Sequence, residues 1–212
     1  MEVTARHDRL TAARLYAITP EAEPAQVERV VAAWLRGGVD VVQLRQKPLA
    51  RGVLLELATA LAAECAAAGA LFVVNDHVDV AALSGADGVH VGPDDLTVAA
   101  ARRAGGPGLL VGASASTPEA GRDAERQGAD YLGSGPAYAT PLKAGKRVIG
   151  PDGVAAVAAA VRLPVFAIGG VDRSRLPELR AAGLTRVCAI RALGEAADPE
   201  AEARAWKTAL CE

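Results

Sequence analysis

Two cations and an amide alternate in the stretch Val41 to Lys47, where Gln43, Arg45 and Lys47 stand two residues apart. In an extended strand alternate side chains share a face, so these three project together while Val42, Leu44 and Gln46 point the other way. A sheet interior does not accept Arg and Lys so spaced unless an anion or water meets them, because unpaired buried charge is costly. The stretch reads as one wall of a polyanion site. Downstream, Asn75-Asp76 closes one apolar run and Asp95 follows another by a Gly-Pro-Asp turn. Hard oxygen ligands beside an Arg and Lys pair suit Mg²⁺ shared with a phosphorylated substrate, since Mg²⁺ keeps waters and needs few protein carboxylates. Either aspartate also fits a helix cap, Asp76 for the next helix and Asp94 or Asp95 for one beginning near Leu96. Convergence with Arg45 and Lys47 favours the metal.

The elements that must position these residues repeat one pattern. An apolar run of five or six residues ends in a polar or glycine cluster, and an alanine-rich amphipathic stretch follows. Strands are expected at 14–19, 39–45, 71–75, 88–92, 109–113, 131–135, 165–169 and 186–190, with helices at 24–36, 51–68, 78–84, 97–104, 118–127, 151–161, 173–182 and 200–210. The helices tend to close on Gly, as at Gly37, Gly69, Gly105, Gly128 and Gly183. Apolar rather than alternating strands point to a parallel sheet covered by helices. Eight strand-helix units predict a closed (β/α)₈ TIM barrel over residues 13–212 as a single domain, with residues 1–12 as a flexible leader. The competitor, an open doubly wound sheet, lacks a GxGxxG after its first strand.

Turns such as Gly37-Gly38-Val39-Asp40, Gly85-Ala86-Asp87-Gly88 and Gly128-Ala129-Asp130-Tyr131 precede strands 2, 4 and 6 and are expected to serve stability at the foot of the barrel. Function in such a barrel gathers at the other end. Ser114 ends strand 5 there, as a mouth hydroxyl or a plain turn residue. A long loop from 137 to 150 follows strand 6 and carries Thr140-Pro141-Leu142-Lys143 and Lys146-Arg147. It reads as a lid whose cations draw in phosphate, or as a solvated surface loop. Gly169-Gly170 after strand 7 lets a phosphate approach main-chain N–H groups, where barrels commonly hold a monophosphate. The layout is one monophosphate near strands 7 and 8, and one polyphosphate with metal near strands 2 to 4.

The 212 residues are 51% hydrophobic and 23% charged with a net charge of −2, a balance that argues against nucleic acid or anionic membrane as the main partner. Cys65, Cys188 and Cys211 lack paired spacing, so reduced thiols are expected rather than a disulfide or zinc framework. Residues 1–14 lack the apolar core of a signal peptide, and no apolar run reaches the ~20 residues of a membrane span. A cytoplasmic protein acting on small phosphorylated substrates is expected, with a homo-oligomer left open.

Taken together, VQLRQK at 42–47, ND with VDVA at 75–81, GADGVHVGPDDL at 85–96, GADYLGSGPAYATPLK at 128–143 and AIGG at 167–170 give a chain that resembles the thiamine phosphate synthase family. The resemblance implies Mg²⁺-dependent coupling of 4-amino-2-methyl-5-(diphosphooxymethyl)pyrimidine to a thiazole ethyl phosphate, with pyrophosphate departing before the thiazole nitrogen captures the pyrimidine methylene cation. Carried over position by position, it assigns Gln43, Leu44, Arg45, Gln46, Lys47, Asn75, Ser114 and Lys143 to the pyrimidine diphosphate and Asp76 and Asp95 to Mg²⁺. Thr140, Pro141, Leu142, Gly170, Ile190 and Arg191 would meet the thiazole phosphate, with Arg45 and Lys143 as the main electrostatic help to the leaving group.

The chain departs from that pattern at Leu142, where a threonine is usual, at Arg191 in place of a small serine, and at His77 in place of an arginine. A guanidinium at 191 can take over phosphate contact from a hydroxyl. Structural or surface roles are expected for His7, His77 and His90. Two rivals are a thiazole tautomerase, in which a histidine is expected where Pro136 stands here, and a non-catalytic phosphate-ligand sensor.

Overall fold

A computed structural model of the chain describes residues 3–140 and 147–211. Eight parallel strands, each paired in order with the next and the last with the first, close a barrel. They are β1 (Leu15–Ile18), β2 (Val41–Leu44), β3 (Leu71–Asn75), β4 (Gly88–Val91), β5 (Leu110–Ala115), β6 (Tyr131–Ser134), β7 (Val165–Ile168) and β8 (Val187–Ala189). The helices are α1 (Val3–Ala12), α2 (Pro24–Arg36), α3 (Arg51–Ala68), α4 (Val78–Ser84), α5 (Val98–Gly105), α6 (Pro118–Arg126), α7 (Gly150–Ala159), α8 (Leu176–Ala181), the one-turn α9 (Arg191–Gly194) and α10 (Pro199–Cys211). All eight strands lie where the apolar runs place them, and the (β/α)₈ barrel stands.

The strands are apolar on both faces because both faces are covered. One set of alternate residues, including Leu15, Val42, Leu44, Phe72, Val74, Val89, Val111 and Leu132, packs in a large core with helix residues such as Trp34, Leu61 and Trp206. The other set, including Tyr16, Ile18, Val41, Leu71, Val73, Leu110, Tyr131, Phe166 and Cys188, fills the barrel interior. Here ring size on one strand is matched by absence of a side chain on the next. A Cβ on Gly112 would sit 2.0 Å from the Tyr131 ring, and one on Gly133 would touch the His90 ring at 3.4 Å.

The segment expected as a flexible leader forms helix α1 instead. Leu10 is buried in the interior cluster, Arg6 donates to Asp87 and to the carbonyl of Gly108, and Arg9 donates to the carbonyl of Ala70. Leu10 is buried in a helix otherwise dominated by polar and small residues, and a plain composition reading misses it.

The recurrent turns have a common physical job. Asp40 accepts hydrogen bonds from the main-chain N–H groups of Arg14 and Leu15, Asp87 from that of Phe72, and Asp130 from that of Val111. Each aspartate at the foot of an even strand therefore ties down the start of the preceding odd strand. Each then meets a base, Lys207 for Asp40, Arg6 for Asp87, and Arg102 with His7 for Asp130. Cys65 and Cys188 are buried cysteines and Cys211 is an exposed one; burial pushes the Cys65 thiol up to about 12.

Replacing Asp87 by Ala strands Arg6 and removes the acceptor of a buried N–H. Loss of such a pair costs about 3–5 kcal/mol, to be read from urea unfolding of Asp87→Ala beside Gly52→Ala. The latter lies in open space on α3 and is expected to be neutral or mildly stabilising.

Candidate active site

At the C-terminal rim the strand ends do not carry the β2 alternation onward. Strand β2 stops at Leu44, and residues 45–50 run through an irregular turn. The expected common face of Gln43, Arg45 and Lys47 is therefore broken into three directions. Gln43 lies inside the barrel and donates through Nε2 to the Tyr16 hydroxyl at 2.7 Å. Arg45 turns toward the β1 loop, where its guanidinium pairs with Glu21 at 3.0 Å. Lys47 turns the other way, its Nζ 3.6 Å from Asp76.

Leu44 and Gln46 do not present side chains to the mouth. Leu44 belongs to the layer between sheet and helices. Gln46 is buried, with Oε1 accepting from the Ala22 N–H and Nε2 donating to the Pro20 carbonyl. It ties the β1 loop to the β2 loop, so a direct ligand contact from these two positions would have to come from the main chain.

Asp76 and Asp95 come together. Their carboxyls are within hydrogen-bonding reach of one another, and Asp76 is held above the ordinary carboxylate range by burial first and then by Asp95, with Lys47 opposing. Neither caps a helix. The N-cap of α5 is Thr97, whose Oγ1 accepts from the Ala100 N–H, and that of α4 is His77, which makes no side-chain cap bond. Asp95 instead accepts from the Gly92 N–H at 2.9 Å, which folds the turn back and points its carboxylate to β3. Asp76 sits at φ 64, a left-handed conformation that Asp and Asn tolerate better than most side chains. Its N–H donates to the His90 carbonyl, so the β4 main chain holds the turn in place. Asn75 closes β3 beside it, its Cα paired with His90.

Two adjoining carboxylates with one lysine leave an excess negative charge that a divalent cation fits. Among the described residues no group of three or more His, Cys, Asp or Glu gathers as a metal cage. Ser114, on β5, accepts or donates at 3.0 Å from His90 Nε2 on the neighbouring strand.

A second feature opens at β7 and β8. A cavity of about 500 Å³ is lined in part by Thr140, Gly170, Ile190 and Arg191, and so gathers four of the six residues assigned to the thiazole phosphate. Pro141, Leu142 and Lys143 lie outside the described residues, as does Lys146. Gly169 and Gly170 both have positive φ, and a Cβ on Gly170 would lie 2.7 Å from the Ala139 carbonyl. The glycine pair thus lets the β6 loop close against β7. Arg175, which the sequence reading passed over, also lines this cavity and stacks 4.0 Å over the Tyr138 ring, while Tyr138 donates to Glu178.

Of the histidines, His7 pairs with Asp130 at the foot and His77 contacts Arg51. His90 is no surface residue. It faces the barrel interior between Tyr131 and Ser114. Its inward register could have been counted from Gly88 and Gly92, which share its face by the two-residue period.

With this geometry in hand the relatives can be compared. The family model described as thiamine monophosphate synthase matches residues 15–193. A thiamine-phosphate synthase from Gloeobacter violaceus is 46% identical over 191 residues, which are 90% of this chain but 55% of that protein. One from Chlorobium luteolum is 46% identical over 171 residues, 80% of this chain and 81% of that protein. This chain therefore spans about half the length of the first relative and most of the second. Among solved structures, the thiamine phosphate pyrophosphorylase from Pyrococcus furiosus superimposes with a TM-score of 0.86 at 32% identity, covering 96% of both chains. The motifs at the barrel mouth, the eight-strand closure and these matches agree, and the chain belongs to the thiamine monophosphate synthase family.

Proposed function

We propose that the chain catalyses a transferase reaction, joining 4-amino-2-methyl-5-(diphosphooxymethyl)pyrimidine to a thiazole ethyl phosphate with release of pyrophosphate. What supports this reading is the separation on one rim of a carboxylate pair suited to a metal-bound diphosphate from a cavity suited to a monophosphate. The Asp76 and Asp95 pair with Lys47 lies on one side, and the cavity bearing Gly170 and Arg191 on the other.

The carbon–oxygen bond from the pyrimidine methylene to the diphosphate breaks with its electron pair leaving on pyrophosphate. The thiazole nitrogen lone pair then forms the new carbon–nitrogen bond, giving a thiazolium without any proton transfer. Such a step needs stabilisation of the leaving group rather than a strong base. A bound Mg²⁺ would be held by Asp76 and Asp95 and would supply charge neutralisation to the diphosphate. Lys47 and Arg45 stand on either side of the β2 turn, and the Glu21 partner of Arg45 tempers the charge that arginine can lend. Lys143 remains assigned to the leaving group by the family pattern. Arg191 and the Gly170 main chain favour a monophosphate in the cavity. That cavity is set apart from the carboxylate pair, so the two negatively charged substrates need not share cations.

Incubating the protein with both phosphorylated substrates and Mg²⁺ should yield thiamine phosphate and pyrophosphate in equal amounts. Tautomerised thiazole alone, or binding without change, would instead favour one of the two rivals. Asp76→Ala and Lys143→Ala are each expected to fold normally and to lower turnover by about 10² or more, the usual scale for one preorganised electrostatic partner; near-normal rates would remove them from the site. A separate reading comes from Asp76→Asn, which keeps the left-handed turn and relieves the repulsion with Asp95. Its melting temperature without Mg²⁺ should equal or exceed that of the wild type, while the rise produced by Mg²⁺ with pyrophosphate disappears. A preserved rise would place the cation elsewhere.

A further inference from the structure

Beneath the mouth a run of side-chain hydrogen bonds crosses the barrel interior from β2 to β5. Gln43 Nε2 lies 2.7 Å from the Tyr16 hydroxyl, which is 2.9 Å from the Tyr131 hydroxyl. The latter is 3.3 Å from His90 Nδ1, and His90 Nε2 is 3.0 Å from Ser114 Oγ. Gln43, Tyr16 and Tyr131 are buried, so within the run each proton has few places to go.

The direction of the first link fixes the others. An amide N–H is a donor only, so the Tyr16 oxygen accepts from Gln43 and its own proton passes to Tyr131. Tyr131 in turn donates to His90 Nδ1. His90 is then the neutral tautomer with its proton on Nε2, which donates to Ser114. The opposite direction would have Tyr16 accepting from both neighbours with its own proton buried and unaccepted, which is unfavourable. Burial raises both tyrosines above their ordinary range, which keeps both hydroxyls protonated and able to donate. Gly112 and Gly133 serve the same run, because a Cβ at 112 would displace the Tyr131 ring and one at 133 would press on His90.

The geometry points to His90 and Tyr131 as positioning residues that turn the Ser114 hydroxyl into a hydrogen-bond donor and leave the Gln43 carbonyl oxygen as an acceptor toward the pyrimidine diphosphate. The inference rests on the reading that Gln43 and Ser114 meet that substrate. A diphosphate oxygen accepts what Ser114 then offers, and the pyrimidine amino group donates what Gln43 then accepts. Neither ring needs to touch the substrate. Turning the Gln43 amide over would reverse every link at once, so the two ends of the site are specified together.

The test combines nitrogen NMR with kinetics. In ¹⁵N-histidine-labelled wild-type protein, with His90 assigned by comparison with His7→Asn and His77→Asn, the proton is expected on Nε2 and the bare nitrogen at Nδ1. Tyr131→Phe removes the donor that faces Nδ1, so both tautomers should become populated. Its KM for the pyrimidine diphosphate should rise roughly tenfold, the scale of one lost hydrogen bond, while the KM for the thiazole phosphate stays unchanged. A proton on Nδ1 in the wild type, an imidazolium, or a tautomer unmoved by Tyr131→Phe would overturn the inference, and so would equal changes in both KM values. Wild-type protein that carries the Nε2 proton yet joins no substrates would sink the functional reading while upholding the direction of the chain.

Discussion

The mutual repulsion of Asp76 and Asp95 is the constraint around which the rim is arranged. Two carboxylates brought within hydrogen-bonding reach oppose one another, and Asp76 is held above the ordinary carboxylate range first by its burial and then by Asp95. The arrangement persists because each is fixed through the main chain. Asp76 is held by the bond from its N–H to the His90 carbonyl, and Asp95 by the bond it accepts from Gly92. Lys47 offsets part of the charge. What remains unbalanced suits the proposed divalent cation, one that would itself carry a diphosphate.

That rim is only as fixed as the barrel beneath it, and the barrel is secured at its opposite end. The three aspartates at the foot bind N–H groups within the first two residues of β1, β3 and β5 and are themselves matched by bases, which sets strand register where the chemistry does not compete for polar groups. Helix α1 closes that end with Leu10. Between foot and rim, large rings are accommodated by glycines on neighbouring strands. The same packing that fills the interior therefore also aligns the polar atoms of Tyr16, Tyr131 and His90 in one line.

Much of this was legible in the residues alone, for reasons that also mark the limit. Eight apolar runs separated by amphipathic stretches leave few architectures, and each of β1 to β8 falls on its expected segment, with β5 alone running past it, two residues on to Ala115. Asp76 and Asp95 could be paired from their places after adjacent strands. The shared face of Gln43, Arg45 and Lys47 could not, because the two-residue period holds only while the strand lasts and β2 ends at Leu44. Gln46, which the two-residue period turns away from that face and only the family resemblance assigned to the diphosphate, spends its amide joining two loops. Helix α1 looked like a leader because its charges find partners far along the chain, at Asp87 and Asp130, which no local pattern reveals. The interior run escaped notice because tyrosine and histidine in apolar strands read as core. Its meaning depends on distances between strands β1, β2, β4, β5 and β6.

The most direct test of the central claim is a crystal structure of the protein with pyrophosphate and Mn²⁺ in place of Mg²⁺, located by anomalous scattering. The account predicts an ion bound between the carboxylates of Asp76 and Asp95 and bridged to the pyrophosphate, with Lys47 turned toward the same anion. An ion bound away from both aspartates, or pyrophosphate seated at the β7 and β8 cavity with the carboxylate pair bare, would contradict it.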